Sequence, residues 1–366
     1  SAAPCRHQRR RSCRSQDRRG VSDRSADAGA GTAVDGTAVG DAASAGDPGP
    51  PVLSVNLMPE GPVVEVVELA RLAESLGFRR CWVYDEGVVT RDVYVTLAAV
   101  AGATERIGIG PGITNPYVRH PGATAAAIAT LDELSGGRAF VGLGAGGGLT
   151  LGPLAIDRRK PLTTVAQTVT ALRGLFSGER VDLDGEVFSL AGARLDYARP
   201  DIEIILAGRG PKMTALGGQV ADGFNLSYIH KDLVGSHTAA LRREAGDRPF
   251  VISYSTMVVT TDADFDEARA GLSFRLVDSP PEVKERIGMS DADTDAIRSA
   301  LAEGGTAAAA RHIREEWVPQ FVICGTAAEA RAELADLMAT HGIDEFQLAV
   351  QHLDRGVDQM TALATP

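Results

Sequence analysis

The sequence predicts an α/β protein whose main domain, residues 52–366, is a (β/α)8 TIM barrel with insertions. From Val52 onward, short apolar segments alternate with helical segments, and eight of the apolar segments can be counted as strands. Most of these segments are almost continuously apolar, as expected of parallel strands that are buried on both faces. Eight strands with helical crossovers favour a closed barrel over an open doubly wound sheet, which remains the alternative.

The first four predicted strands alternate with helices whose apolar residues recur at helical spacing. The first helix follows Pro59 and Gly61, and Gly77 is its predicted stop. The strands are VLSVNLM (52–58), CWVYDE (81–86), IGIGPGI (107–113) and RAFVGLG (138–144), and the helices between them are residues 63–78, 92–104 and 123–137.

The second half of the predicted barrel contains two insertions. The first follows the fourth strand and contains a helix over 161–176 and a small hairpin over 181–190. The second follows the seventh strand, is helical from about Asp264 to Arg314, and leads through FVICGT into another helix. The last four strands are residues 202–208, 223–228, 250–260 and 344–350, and helices over 211–222 and 229–245 follow the first two of these.

Residues 1–51 are predicted to form a disordered low-complexity extension. Residues 1–20 are rich in arginine, and residues 21–51 are almost all Gly, Ala, Asp, Ser, Thr and Pro. Neither part has the apolar periodicity that could offset the entropy of ordering the chain. No apolar segment follows the arginines, so an export signal is not predicted. A basic arm that contacts nucleic acid is the alternative interpretation.

Composition limits the function classes. The formal net charge of −11 at pH 7 argues against nucleic acid as the main partner, because phosphate binding needs a basic face. No run of about 18 apolar residues occurs, so no membrane span is predicted. Cys5, Cys13, Cys81 and Cys324 lack the spacing of metal ligands. We therefore expect a cytoplasmic protein with reduced cysteines that binds a small-molecule substrate and no metal.

If the barrel is correct, the functional residues follow the carboxyl ends of its strands. Strands that end in glycine leave the backbone bare for a ligand, which suits a planar cofactor with a phosphorylated tail. The residues at the predicted strand ends are Asn56, Asp85, Glu86, Gly112, Ile113, Thr114, Asn115, 144–148, 208–212, Asn225, Ser227, Tyr228, Ser255, Thr256, Gln351 and His352.

The segment AGRGPKM (207–213) is a candidate phosphate site. A strand ends in Gly-Arg-Gly, Pro211 suits the first turn of a helix, and Lys212 adds a positive charge. Free backbone N–H groups at such a helix start bind phosphate. An ordinary glycine-rich turn before a helix explains the same residues equally well.

Two polar residues are candidates for the chemistry itself. Glu86 is a candidate general acid or base, because a carboxyl group beside Asp85 at a barrel mouth would have a raised pKa. A solvated pair of carboxylates at a loop start is the alternative. Asn56 is a candidate for holding a substrate carbonyl or a cofactor edge, and the alternative is a satisfied polar residue inside the mouth. The histidines at the helix and strand ends, His120, His230 and His352, are interpreted as structural.

Six segments in a specific order connect the chain to a known family. They are RDVYVTLAAVA, IGIGPGITNPYVRHP, ATLDELSGGRAFVGLGAG, RRKPLTTVAQTVTALRGLFSGERVDLDGEVFSLAGARL, AGRGPKM and FVICGT. In this order they resemble the bacterial luciferase-like oxidoreductases that use the deazaflavin coenzyme F420, and among these the methylenetetrahydromethanopterin reductases. The resemblance extends from about Val52 to the C-terminus, and the combination of TNPYVRHP, SGGRA and GPKM is its most specific part.

The resemblance implies an enzyme that binds F420 at the carboxyl ends of the strands and transfers a hydride between the reduced cofactor and a C=N, C=O or C=C group. It implies a non-prolyl cis peptide bond in a bulge behind one face of the deazaflavin, at Gly112–Ile113, and it implies a homo-oligomer. The implied cofactor-binding residues are Asp85, Gly112, Ile113, Thr114, Asn115, Gly144, Ala145, Gly146, Gly208, Arg209, Gly210, Pro211 and Lys212.

Two positions depart from the reductase pattern. Asn56 stands where the reductases have an acidic residue, and Asp85–Glu86 stand where they have Asp-His. Both lie where substrate and reacting ring should meet. We therefore predict Glu86 as the proton donor or relay and Asn56 as the residue that orients substrate or ring. Two alternatives stay open: an FMN-dependent luciferase-like monooxygenase that uses oxygen, and a non-catalytic protein that binds the deazaflavin.

Overall fold

The computed structural model describes residues 51–364, and its first half follows the predicted order of strands and helices. The helix over residues 161–176 has the predicted bounds at both ends, whereas the one-turn helix over residues 148–151 was not predicted. The elements are β1 (Leu53–Leu57), α1 (Val63–Ser75), β2 (Arg80–Val83), α2 (Val93–Ala101), β3 (Gly108–Pro111), α3 (Pro121–Ser135), β4 (Val141–Leu143), α4 (Gly148–Leu151) and α5 (Pro161–Phe176). The extension predicted over residues 1–51 lies, apart from Pro51, outside the described residues.

The second half begins with the predicted antiparallel hairpin and ends with a helix that the sequence analysis did not predict. Its elements are β5 (Val181–Asp184), β6 (Ser189–Ala193), β7 (Ile204–Ala207), α6 (Pro211–Val220), β8 (Gly223–Ser227), α7 (Lys231–Ala245), β9 (Val251–Thr256), β10 (Val258–Val259), α8 (Asp262–Val277), α9 (Pro281–Arg286), α10 (Asp291–Ala310), β11 (Ile323–Cys324), α11 (Ala327–His341), β12 (Glu345–Val350) and α12 (Gly356–Ala364).

One predicted strand needs correction. The strand expected over residues 250–260 ends at Thr256, and Val258–Val259 pair in parallel with Ile323–Cys324 in a separate two-stranded sheet. No Gly, Pro, Asn or Asp interrupts residues 250–260 in the sequence, but Val258–Val259 leave the barrel and pair with the segment FVICGT instead.

The eight parallel strands form one sheet in the order β3-β2-β1-β12-β9-β8-β7-β4. β1 and β12, the first and last of the described strands, pair over five residue positions. Between β3 and β4 the circle is completed by the isolated bridges Ile109–Ala139 and Thr114–Leu143. The predicted barrel is therefore confirmed, and the open doubly wound sheet is wrong.

The main apolar core lies between the strands and the surrounding helices, where Val55, Leu57 and Val141 are fully buried. The barrel interior holds a smaller apolar cluster, in which the rings of Trp82 and Phe140 meet edge to face at 4.4 Å. Burial on both faces explains why the strands read as continuous apolar runs.

At the amino ends of the strands, the barrel interior is closed by paired charges. Arg80 donates to Glu345, and its other terminal nitrogen lies 2.8 Å from Oε2 of Glu203. The hydroxyl of Ser54 also donates to Glu345. Glu345 is fully buried and Arg80 almost so, and such a pair is tolerated because each charge meets a partner.

The helical insertion α8–α10 has an apolar core of its own around Leu272, Ile297 and Trp317. Tyr228 and Ala349, at the carboxyl ends of β8 and β12, belong to the same core. The insertion therefore packs over one side of the barrel mouth. Within residues 51–364, no helix combines the length and apolar character that crossing a membrane requires.

Candidate active site

The carboxyl ends of β3, β4 and β7 bring three glycine-containing segments together. We call residues 112–115, 144–148 and 208–212 the glycine side of the mouth. The N–H of Thr114 donates to the Gly142 carbonyl at 2.9 Å, and the N–H of Gly144 donates to the Thr114 carbonyl at 3.0 Å. β4 pairs in turn with β7, which leads into residues 208–212. The three groups of implied cofactor-binding residues are therefore neighbours.

The cis peptide bond that the resemblance implies is present between Gly112 and Ile113, in the segment that we call the bulge. Nδ2 of Asn56 donates to the Gly112 carbonyl at 2.8 Å, while its buried Oδ1 has no hydrogen-bond partner. A Cβ on Gly112 would lie 2.5 Å from Asn56 Oδ1. Asn56 thus sits against the bulge from inside the barrel, which makes it a positioning residue for the backbone that faces the mouth.

The glycines beside the bulge allow the backbones of β3 and β4 to approach closely. A Cβ on Gly142 would lie 2.1 Å from the Pro111 carbonyl oxygen, and one on Gly144 would lie 2.3 Å from Cδ1 of Ile113. Contacts this short with backbone oxygen cannot be accommodated without moving the strands. The glycine signal that the sequence carries therefore has a steric cause at Gly142.

Asn115 has a local structural role. Its Oδ1 accepts hydrogen bonds from the backbone N–H groups of Tyr117 and Val118, both at 3.0 Å, and the residue is almost fully buried. This turn fixes the course of the chain after the bulge. The side-chain oxygen of Asn115 is therefore committed to the loop.

Asp85 lies on the β2 side of the bulge, close to Thr114 and Tyr94. Burial raises the pKa of Asp85, and the Thr114 hydroxyl opposes the rise. The Tyr94 hydroxyl lies 3.4 Å from Oγ1 of Thr114, and the Arg119 guanidinium carbon lies 4.4 Å from the centre of the Tyr94 ring. Asp85 therefore belongs to a polar group behind the bulge and apart from Glu86.

Residues 208–212 form the predicted helix start. Gly210 is the N-cap of α6 and has no side-chain cap, and a Cβ placed on it would meet no atom within 4 Å. The space in front of this helix start is open, and Lys212 in the first turn is exposed. Arg209 and Arg158 are further cations here, since the Arg158 charge acts on the pKa of Arg209 and Nη1 of Arg158 donates to the Gly146 carbonyl at 2.9 Å. A phosphate fits these groups, because helix N-termini and cations both favour an anion.

Glu86 lies at the mouth as predicted and accepts a hydrogen bond from Oγ1 of Thr150 in α4. Burial raises the pKa of Glu86, the Thr150 hydroxyl and the Arg275 charge oppose the rise, and Asp85 adds to it. A carboxyl group with a raised pKa is suited to donating a proton near neutral pH. Asp85 and Glu86 have different hydrogen-bond partners, Thr114 and Thr150 respectively.

Sequence reasoning missed the residues that α8 contributes. Glu267, Gly271 and Arg275 are spaced four residues apart and so lie along one face of α8. We call these three residues and Tyr228 the α8 side of the mouth. The Arg275 guanidinium carbon lies 3.7 Å from the centre of the Tyr228 ring, and its Nη1 donates to the Gly271 carbonyl. The spacing of four residues indicates in the sequence that these three residues share one face of a helix. It does not indicate that this face packs against the barrel.

Two of the three histidines interpreted as structural accept a backbone hydrogen bond at a helix start. Nδ1 of His120 accepts from the Gly122 N–H at 3.1 Å at the start of α3, and Nδ1 of His230 accepts from the Asp232 N–H at 3.2 Å at the start of α7. Cys81 is fully buried in the core, and burial raises its pKa to about 12. Across residues 51–364, no group of three or more His, Cys, Asp or Glu side chains could hold a metal ion.

Known proteins resemble this chain in sequence and in fold. The family described as luciferase-like monooxygenase matches residues 22–345. The chain is 34% identical over 293 residues to 5,10-methylenetetrahydromethanopterin reductase of Methanolobus tindarius, covering 78% of this chain and 90% of the relative. It is 35% identical over 287 residues to the reductase of the same name from Archaeoglobus fulgidus, covering 74% and 85%. The solved coenzyme F420-dependent tetrahydromethanopterin reductase of Methanopyrus kandleri has the same fold, with a TM-score of 0.75, 22% identity, and coverage of 86% of this chain and 97% of that one.

Proposed function

This chain belongs to the luciferase-like monooxygenase family of enzymes, and we propose that it is an F420-dependent oxidoreductase. It would transfer a hydride between reduced F420 and a C=N, C=O or C=C group of a small organic substrate, as a methylenetetrahydromethanopterin reductase does with its own substrate. The proposal depends on one observation, the glycine side of the mouth. There, backbone without side chains lies beside the open N-terminus of a helix, and cationic side chains are close to it. The F420-dependent glucose-6-phosphate dehydrogenase of Beutenbergia cavernae, 35% identical over 166 residues, and the solved Methanopyrus kandleri reductase are both named as F420-dependent, which supports F420 as the cofactor.

The described residues fit a deazaflavin with a phosphorylated tail. The bulge at Gly112–Ile113 would support one face of the ring, and Thr114 with residues 144–146 would line the ring and the ribityl chain. The loop of residues 208–212 would take the phosphate, because the start of α6 offers space and positive charge. The unpartnered Oδ1 of Asn56 marks the same region as one that needs a further polar contact. When bound, F420 supplies or accepts the hydride.

Glu86 would supply the proton that completes the reduction. The acceptor carbon gains the hydride, and the heteroatom or the adjacent carbon gains the proton from the Glu86 carboxyl. The raised pKa of Glu86, which follows from its burial, keeps this carboxyl protonated to higher pH than an ordinary glutamate. Asn56 would act through the Gly112 carbonyl, holding the bulge in place behind the ring.

An FMN-dependent monooxygenase is the second candidate, because the matching family is described by that activity. The same barrel can serve either chemistry, since function depends on the site and not on the fold. A protein that binds the deazaflavin without turnover is the candidate from another class. It would bind F420 and reduce no member of a panel of imines, enones and ketones.

Titration with cofactors tests the proposal. The full chain is titrated with oxidised F420, reduced F420 and FMN, followed by fluorescence and absorbance. We expect micromolar binding of F420 and much weaker binding of FMN. Tight FMN binding with oxygen consumption coupled to product hydroxylation would instead assign the chain to the monooxygenases.

We also infer that the enzyme works as a homo-oligomer in the cytoplasm. Val64, Val95 and Leu134, on α1, α2 and α3, have exposed fractions of 60%, 67% and 57%, which is unusual for large apolar side chains and supports a covered helix face. The described cysteines, Cys81 and Cys324, are both free thiols, which supports a reducing compartment. Sedimentation velocity of the purified chain tests the oligomer.

A further inference from the structure

Arg275 carries a buried charge with no counter-charge. The residue is 9% exposed, and its guanidinium forms no ion pair with any carboxylate among residues 51–364. Its one hydrogen bond is to the carbonyl of Gly271 in its own helix. A buried guanidinium left this way is costly, and such groups are normally paired with an anion.

Tyr228, beneath that guanidinium, is also unsatisfied. Its ring centre lies 3.7 Å from the guanidinium carbon, and its buried hydroxyl has no hydrogen-bond partner. Its backbone φ is 51°, in the left-handed region that residues other than glycine rarely adopt. Backbone held in this region clusters at ligand sites. The Tyr228 hydroxyl is therefore a buried donor without a partner, beside a guanidinium that forms no ion pair.

The surroundings of Arg275 are electropositive. Arg209 donates from Nη1 to the Arg275 carbonyl at 3.0 Å, and it too forms no ion pair within residues 51–364. Burial lowers the pKa of Arg209 to about 10, and the like charge of Arg275 adds to the effect while Asp278 opposes it. Burial raises the pKa of Glu86, and the Arg275 charge opposes that rise, so Glu86 is an acid close to Arg275.

The Arg275 guanidinium lies near side chains that come from opposite sides of the barrel mouth. Tyr228 follows β8, and Tyr84 and Glu86 follow β2, which lies on the opposite side of the barrel. The Arg275 charge lowers the pKa values of both Tyr84 and Glu86 against the effect of their burial, so it is close to each of them. The guanidinium is therefore within electrostatic reach of residues from both β2 and β8, and Arg209 joins its backbone to the loop of residues 208–212.

We propose that Arg275 and Tyr228 form a binding site for an anionic group of the substrate, a carboxylate or a phosphate. The guanidinium pairs with the anion, and the Tyr228 hydroxyl donates a hydrogen bond to it. The inference deepens the proposed function, on which it rests, by restricting the substrates to molecules that carry both a reducible double bond and an anionic group.

Anion binding at equilibrium tests the site without turnover. The full chain is loaded with F420 and titrated by calorimetry with benzoate and with inorganic phosphate. We expect the wild type to bind at least one of them, and Arg275→Met and Tyr228→Phe each to weaken that binding, the former by about ten-fold or more. The control is Arg298→Met on α10, whose side chain is 60% exposed and pairs with Asp295. No binding to the wild type, or equal binding to Arg275→Met, would overturn the proposal.

A second titration distinguishes the substrate from the cofactor as the source of the anion. Wild type and Arg275→Met are titrated with F420 and with the deazaflavin chromophore that lacks the phosphate tail. Dissociation constants within about two-fold for both ligands are expected. A ten-fold loss confined to F420 would assign Arg275 to the cofactor phosphate and overturn the proposal, although the proposed function would stand. If the wild type binds no F420, the proposed function fails, and anion titration of the chain alone decides the site.

Kinetics give the third readout. Matched acceptors are compared, such as a keto acid and the corresponding ketone without the carboxylate. The wild type should favour the anionic member by at least about ten-fold in kcat/KM, mainly through KM, and Arg275→Met should remove the preference. Arg275→Lys should restore part of the preference for the anionic acceptor, because lysine carries the positive charge but lacks the planar guanidinium. Equal preference in wild type and Arg275→Met contradicts the assignment.

Discussion

On the glycine side of the mouth, backbone packs against backbone, whereas on the α8 side, charged and aromatic side chains pack with polar atoms left unpaired. A methyl group on Gly142 would overlap the Pro111 carbonyl, so geometry alone restricts that position. The Tyr228 hydroxyl has no hydrogen-bond partner, and the Arg275 guanidinium beside it forms no ion pair among the described residues. Steric limits therefore restrict Gly142 of β4, next to the glycine side, whereas polar groups without partners mark the α8 side. Substitution of Gly142 should damage folding, and substitution of Arg275 or Tyr228 should change which ligands bind.

The largest effect is expected from Gly142→Ala. The new Cβ would lie 2.1 Å from the Pro111 carbonyl oxygen and 2.6 Å from Trp82, so the strands must separate. We expect a loss of about 3 kcal/mol or more in the free energy of unfolding, measured by denaturant titration. The control is Gly147→Ala, where a Cβ meets no atom within 4 Å. Similar unfolding midpoints for the two variants would contradict the steric account.

Glu86→Gln should lower turnover by about 100-fold, because general acids contribute that much or more. Cofactor affinity should stay within about two-fold, since the cofactor residues are on the glycine side. The wild-type rate should fall as pH rises through the pKa of Glu86, which burial has raised. The rate of the variant should not show this fall. Stopped-flow kinetics and cofactor titration measure both quantities. Equal losses in rate and affinity would remove Glu86 from the role of acid.

Glu267→Gln should change how stability depends on pH. Burial raises the pKa of Glu267 to about 6, and the charges of Asp264 and Glu60 add to the rise. His352 and Arg355 oppose it. The folded chain therefore keeps this proton up to about pH 6, whereas the unfolded chain loses it near 4.5. Wild-type stability should fall across this window by on the order of 2 kcal/mol relative to the variant. Parallel stability profiles from pH 4 to 7 would contradict the shift.

The smallest effect is expected from Lys212→Ala. Lys212 is exposed in the first turn of α6, so solvent screens its attraction for a phosphate. We expect F420 to bind about two- to five-fold more weakly, with no change for the deazaflavin that lacks the phosphate. Arg298→Ala, on α10 away from the mouth, is the control. A loss that is the same for both ligands would place Lys212 outside the phosphate site.

The barrel could be predicted because its strands are short apolar runs separated by helical patterns of ordinary length. Pro161 at the first position and Phe176 at the end fix α5 in the sequence, and the structure has the same bounds. The split between β9 and β10 could not be predicted, because residues 250–260 contain no Gly, Pro, Asn or Asp to mark a break and because pairing with Ile323–Cys324 depends on the tertiary fold. The glycine-containing segments could be predicted from the sequence, because a glycine without a side chain allows the backbone to approach a neighbouring group closely.

The α8 side could not be predicted from the sequence, because it too depends on tertiary packing. Arg275 reads as an ordinary polar residue of an amphipathic helix, and only the packing of the insertion onto β8 turns it inward. Likewise, Asn56 was predicted from its position at a strand end, but its contact with the Gly112 carbonyl depends on the course of a distant strand. The local sequence pattern predicts which parts of the backbone can approach a ligand. Contacts between side chains that are far apart in the sequence follow only from the assembled fold.

The pairing of β1 with β12 has a consequence for synthesis of the chain. A ribosome produces Leu53–Leu57 early, but the strand that completes the barrel beside them, Glu345–Val350, emerges about three hundred residues later. Until then β1 and β9 each present an open edge, and Arg80 lacks its buried partner Glu345. Such edges are prone to pair with other chains, so nascent chains stalled before Val350 should be strong clients of ribosome-bound chaperones.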